Sequence, residues 1–211
     1  MTERFKLYNY DLDEHCYKVR LLLAVLHVEV EQIAVDVFPG KEQEKPEFLD
    51  LNPLGRLPVL QDDGLILFGT EAILAHLGRN HDLSGRYLPE YGKSFARTMQ
   101  WLNFSAHDLE VTSLARQQAI FDAPGEPSFL KGQSKKMLRI MDDAMTVQMF
   151  DGFDFFAGAH ATIADIALFP AFALSRDYGL DHDEFPALRR WARRIRNLPG
   201  FITMPGIPHY H

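Results

Sequence analysis

One cysteine, Cys16, is all the chain has in 211 residues. Internal disulfides are therefore excluded, and such sparing use suits a reducing compartment. No run of about 18 apolar residues exists, the length a membrane-spanning helix needs. Met1-Thr2-Glu3-Arg4-Phe5-Lys6 carries no apolar signal-peptide core. Positive charge is not in excess either: Lys+Arg 22 against Asp+Glu 29 leaves −7. A net acidic chain is a poor nucleic-acid binder by its overall field. Gly-rich phosphate loops, a Ser nucleophile elbow and metal-ligand spacings are all missing, as are repeats and low-complexity tracts. The expectation is a cytoplasmic protein with no membrane, nucleic-acid or resident-metal partner. The tail His209-Tyr210-His211 can bind metal only adventitiously. What remains is 46% apolar, enough for a sizeable core.

Periodicity divides the chain in two. Residues 5–8 read as a strand. Val19, Leu22, Leu23 and Leu26 fall at i, i+3, i+4, i+7, the stripe of an amphipathic helix. Residues 28–37 are rich in β-branched side chains and read as a second strand. Residues 42–51 read as a short helix that stops before Asn52-Pro53, because a residue preceding proline avoids the helical region. Val59-Leu60 and Leu65-Ile66-Leu67-Phe68 flank the turn signal Asp63-Gly64 and read as a hairpin. A helix then starts at Thr70 as its cap. The order is βαβαββα. Residues 80–89 are polar and turn-rich, a linker. Beyond them the periodicity is helical, with helices expected at 91–121, 129–149, 163–174 and 186–197 and breaks at Pro124-Gly125, Asp151-Gly152 and Tyr178-Gly179. The expected architecture is an α/β domain over 1–79, a linker over 80–89 and an all-α bundle over 90–211.

The segment Asn52-Pro53-Leu54-Gly55-Arg56-Leu57-Pro58-Val59-Leu60 is the most specific. Proline is tolerated at the first residue of a strand but not inside a sheet. A cis Leu57-Pro58 bond would turn the Leu57 backbone outward, and an exposed strand-edge backbone suits an extended, peptide-like ligand. Together with Lys18-Val19-Arg20, Thr162-Ile163-Ala164-Asp165 and Leu198-Pro199-Gly200-Phe201, this block resembles the cytosolic glutathione transferase family over nearly the whole chain. Lys18-Val19-Arg20 and Leu198-Pro199-Gly200-Phe201 also look like bacterial members. Thr162 and Asp165 also have their own physical reason, as the reciprocal capping box of a helix. The resemblance implies a thioredoxin-like N-terminal domain, a helical C-terminal domain, a cis Pro58, glutathione as co-substrate and a homodimer. It implies that the Leu57 backbone pairs with the cysteinyl unit of glutathione. It further implies thiol transfer to a small electrophile, or reduction of a glutathione mixed disulfide.

Family chemistry uses a Ser, Tyr or Cys donor near the glutathione sulfur, at the start of the first helix. Such a donor, together with the helix N-terminus, lowers the thiol pKa. Aligned on Lys18-Val19-Arg20, that slot holds Asp13, whose ionised form would do the opposite. Asp13 reads either as a protonated or rotated catalytic group or as a helix cap. His15, two residues on, can offer an imidazole N–H where disulfide-reducing members use Asn, or be an ordinary loop histidine. Cys16 overlays the second, less reactive cysteine of a Cys-x-x-Cys motif and reads best as a small packed hydrophobe. Thr70 matches a serine that binds the γ-glutamyl carboxylate, aided by the helix N-terminus. The preceding residue is Gly69, not the acidic or amide group that holds the γ-glutamyl amine. Glu71 can substitute, although it points about 100° around the helix. Asn103, His107 and Arg116 are placed on the first long helix of the second domain, with Asn103 and His107 as candidate substrate-pocket residues. The basic run Arg189, Arg190, Arg193, Arg194 and Arg196 reads as a solvated face near a helix end. The alternative to an enzyme is a catalytically degenerate transferase-fold binding or regulatory protein, for which Asp13 and Gly69 speak.

Overall fold

A computed structural model describes residues 5–209. Lys6–Asn9 (β1), Glu31–Ala34 (β2), Val59–Asp62 (β3) and Leu65–Phe68 (β4) form a mixed sheet in the order β2-β1-β3-β4. β1 runs parallel to β2 and antiparallel to β3, and β3 pairs antiparallel with β4. The hairpin turns at Asp63 and Gly64, both with positive φ, as the Asp-Gly signal requires. Glu14–Val25 (α1) is the parallel crossover between β1 and β2. Pro46–Leu49 (α2) precedes β3, and Thr70–Asn80 (α3) follows β4. This is the thioredoxin-like βαβαββα order.

Local rules explain where elements fall short of their sequence patterns. The second strand spans only Glu31–Ala34 of the expected 28–37. The helix expected over 42–51 divides into a 3-10 turn at Glu42–Glu44 and α2, because Lys45 precedes Pro46 and is extended at ψ 150°. α3 is capped by Gly69, at φ 89° and ψ 112°, and Thr70 is its first helical residue rather than its cap. The long helix expected over 91–121 is two helices, Gly92–His107 (α4) and Glu110–Phe121 (α5). They part at Leu109, which is buried and whose N–H reaches back five residues to the Phe104 carbonyl.

Pro127–Phe150 (α6), Ile163–Ala173 (α7) and Pro186–Arg196 (α8) complete the helical half. Every residue of α7 is buried, as expected of a helix apolar on all sides. It packs against α1, α3, α4 and α8 and so joins the two halves through one core. Its start is fixed by Asp165, which accepts from the Thr162 N–H at 2.9 Å, the Phe156 N–H at 3.0 Å and the Trp191 indole at 2.9 Å. The linker is organised by Asp82, which accepts from the N–H groups of Ser84 and Tyr87, both at 2.8 Å. The Tyr87 carbonyl in turn accepts from Ile163 N–H. Among the described residues, no helix is long and apolar enough to cross a membrane.

Candidate functional site

Two pockets lie where the α/β half meets α4 and α5. The larger, of about 450 Å³, brings together Asp13 and His15 from the start of α1, Leu57 before β3, and Gly69, Thr70 and Glu71 at the start of α3. Leu57-Pro58 is cis. Two helix N-termini therefore face one cleft beside the residue that leads into the central strand β3, and each brings positive partial charge to it. The helical half closes the cleft with Ala106, Glu110, Leu114 and Gln117. The smaller pocket, of about 220 Å³, is lined by Leu12, Val37, Phe38 and Phe121, with Asp13, Glu14, Ser113, Arg116 and Gln117 among its polar groups. Phe38 and Phe121 sit with ring centroids 5.9 Å apart, one from each half. Asp13, Val37 and Gln117 line both pockets, so a polar cleft opens beside a mainly apolar one.

The loop that delivers Asp13 is held from two sides. Arg20 NH1 contacts Asn9 Oδ1, and its NH2 donates to the Asp11 carbonyl at 2.9 Å. Arg116, on α5, donates through NH1 to the Leu12 carbonyl at 2.7 Å and through Nε to Asp177 Oδ2 at 2.8 Å. Asp13 caps α1, with Oδ1 accepting from the Cys16 N–H at 2.7 Å. Burial pushes the Asp13 carboxyl up, while the Cys16 N–H pulls it part of the way back. The next side chain, Glu14, is buried and takes the Ser113 hydroxyl. His15 lies 3.4 Å from the same hydroxyl. Burial, with the nearby charges of Lys18 and Arg56, lowers the His15 pKa to about 3, so its imidazole is neutral at physiological pH. Cys16 is fully buried and accepts from Tyr10 N–H. Burial and the adjacent Asp13 hold its thiol well above the usual range, which makes it a packed hydrophobe and not a nucleophile.

On the opposite wall, Thr70 is buried at the first position of α3. Glu71 turns toward the helical half. Its Oε1 accepts from Ser105 at 3.0 Å and lies 3.7 Å from the buried Lys18 ammonium, which also donates to Ser105 at 3.1 Å. This Lys18–Ser105–Glu71 group ties α1, α3 and α4 together at the edge of the cleft. Gly69 has open space where a side chain would stand, but its φ of 89° is one that other residues adopt only with strain.

Asn103 and His107 line neither pocket. Both are exposed on α4, with His107 Nδ1 3.0 Å from the Asn103 carbonyl. They fall on the solvent face of α4, and the residues of the helical half that reach the cleft are Ala106, Glu110, Leu114 and Gln117. Sequence reasoning also missed Gln43, which lines the larger pocket with its Oε1 buried and unpartnered, and Ser113. No sequence pattern marks either, since each is placed by contacts across the fold. Of the arginine run on α8, Arg193, Arg194 and Arg196 lie in the last turn, where Arg194 pairs with Asp154, while Arg189 near the helix start pairs with Asp183.

The chain matches the family model for the glutathione S-transferase N-terminal domain over residues 3–79 and that for the C-terminal domain over 113–194. It is 30% identical over 186 residues to glutathione S-transferase D7 of Anopheles gambiae, covering 86% of this chain and 81% of that one. A glutathione S-transferase from Pseudomonas fluorescens superposes with TM-score 0.86 at 26% identity, over 96% of this chain and all of the other. A glutathione transferase homologue from Lodderomyces elongisporus, solved with two GSH per subunit, gives TM-score 0.83 at 25% identity, over 94% of this chain and 95% of that one.

Proposed function

Because the chain belongs to the glutathione S-transferase family, we propose that its larger pocket binds glutathione and presents the thiolate to a small electrophile, or to a glutathione mixed disulfide, in the smaller one. The observation that carries this reading is the convergence of Leu57, Thr70 and the start of α1 on one cleft of about 450 Å³. The Leu57 backbone suits the cysteinyl unit. The Thr70 hydroxyl and the α3 N-terminus suit the γ-glutamyl carboxylate. Glu71, anchored through Oε1 by Ser105 and Lys18, offers negative charge to the amine, and Gln43 offers an amide to the other end of the tripeptide.

Thiolate stabilisation in this reading falls to His15. Its neutral imidazole donates an N–H, and the positive partial charge at the start of α1 adds to it. Asp13 acts as the cap that sets the helix start. The mainly apolar pocket at Phe38 and Phe121 takes the electrophile. The expected homodimer belongs to the same proposal, supported by the exposed Leu65, Ile66 and Phe68 side chains on edge strand β4.

A thermal shift with glutathione tests the binding half. At 100 times Kd, a ligand adds about 2.7 kcal/mol, a rise of about 5–10 °C for a chain of this length. An unchanged melting temperature overturns the proposal. The catalytic half is tested by conjugation and disulfide-reduction assays. His15→Ala is expected to lose about 10–100-fold in kcat/KM, the worth of one hydrogen bond to a charged group. Asp13→Ser keeps the cap and is expected to stay within a few-fold of the parent. A large gain in Asp13→Ser with no loss in His15→Ala would reverse these roles.

A further inference from the structure

Three metal-ligating side chains meet outside both pockets. Asp62 is the last residue of β3. His76 lies on α3, and His81 follows its last residue. The chain turns through the hairpin and runs back along the sheet as α3, so the helix C-terminus returns to the strand end. There His76 Nε2 lies 2.7 Å and His81 Nε2 2.9 Å from the same Asp62 oxygen, Oδ2. The three ligand atoms lie within 4.8 Å of one another. All three side chains are half-buried, with one side open to solvent. No motif spacing in the sequence marks this group.

We propose that Asp62, His76 and His81 form a divalent-cation site of the zinc class that clips the end of β3 to the C-terminal end of α3. Two imidazoles and one carboxylate are the donor set of zinc and its neighbours, not of calcium or magnesium. Among the described residues, Asp62 has no Lys or Arg partner; its ion-pair partners are the two imidazoles. With both imidazoles neutral, its charge has no full counter-charge, and a dication supplies one. The C-terminal end of α3 adds negative partial charge at the same place.

The rings are already partly fixed. His81 stacks on Phe5 with centroids 5.0 Å apart, and His76 meets His81 edge-on at 5.9 Å. A zinc–ligand distance of about 2.0–2.2 Å requires the two nitrogens to separate from Oδ2 by a fraction of an ångström, within reach of side-chain rotation. Each neutral imidazole binds through Nε2 by carrying its proton on Nδ1 instead. For His76 this asks the Asn80 amide, 3.0 Å from Nδ1, to turn its oxygen inward. The open side leaves a coordination position for water.

The test uses the full chain with His209→Ala and His211→Ala, which silences the tail, and no glutathione or other thiol. Zn²⁺ alone is titrated by calorimetry and Co²⁺ alone by visible absorption. The expected result is one equivalent of Zn²⁺ bound, a tetrahedral Co²⁺ spectrum and a melting temperature that rises with Zn²⁺. His76→Gln and His81→Gln should each weaken Zn²⁺ binding by about tenfold or more. His81, beyond the end of α3, is the variant that decides if His76→Gln fails to fold. No saturable binding, or equal binding in the parent and His81→Gln, overturns the proposal. Because none of the three residues lines either pocket, the outcome is independent of glutathione binding.

Discussion

Replacing Arg116 by Met removes a side chain that bridges α5, the loop before Asp13 and the 3-10 turn at Ser175–Tyr178. Its volume is nearly conserved, so the loss is chiefly electrostatic. Two charge-assisted hydrogen bonds disappear, each worth about 1.5–3 kcal/mol. The Leu12 carbonyl and the Asp177 carboxylate lose their partner. Removing one member of a buried pair costs about 3–5 kcal/mol. Asp177 keeps 19% of its side-chain surface in solvent, so water recovers part of that. The expected destabilisation is about 3 kcal/mol, or about 6–12 °C in melting temperature. Urea denaturation measures it, and a cycle with Asp177→Asn separates pair from context. The coupling energy is expected at about 1–2 kcal/mol. Arg116→Met should also raise the KM for glutathione, because Leu12 and Asp13 lose their anchor from the helical half. A destabilisation under about 1 kcal/mol with strict additivity in the cycle would refute the bridging role.

Two further outcomes follow from buried polar groups. Asp165→Asn places an amide nitrogen against donors now satisfied by a carboxylate, those of Thr162, Phe156 and Trp191. It is expected to destabilise by about 2–4 kcal/mol in urea denaturation, with the Trp191 environment altered in fluorescence. Acid should weaken the fold through His182, which is fully buried, stacked on Phe172 at 4.2 Å and 3.0 Å from Ser175 Oγ. Burial, with Arg176 nearby, lowers its pKa from 6.5 to about 4. The folded state thus favours the neutral ring. Its contribution is present above pH 6.5 and is lost as the pH falls toward about 4, at up to about 1.4 kcal/mol per pH unit. Denaturation midpoints across that window should show a shallower slope in His182→Gln than in the parent, and an unchanged slope would contradict the assignment.

Much of this fold was legible because short-range rules set it. The Asp63-Gly64 turn and the Thr162–Asp165 box each depend on neighbours a few residues apart. The cis bond at Leu57-Pro58 and the place of Thr70 came with the family resemblance. The helical wall of the site was not legible. Leu109 breaks α4 from α5, and which face of each helix meets the cleft depends on packing against the α/β half, which leaves Asn103 and His107 exposed while Ala106 and Glu110 line it. Contacts between distant residues were equally hidden. Ser113 meets Glu14 and Arg116 meets Leu12 across about a hundred residues of chain. Asp62, His76 and His81 follow no ligand spacing, because the hairpin and the return of α3 bring them together. Asp13 was legible as a cap, and its bond to the Cys16 N–H fits that reading.

The most direct test of the account is a crystal structure with glutathione bound at saturation. The expected result is the cysteinyl backbone paired with Leu57, the γ-glutamyl carboxylate at Thr70, and the sulfur within hydrogen-bonding reach of the His15 imidazole at the start of α1. Glutathione absent from this cleft, or bound there with its sulfur turned away from α1, would contradict it.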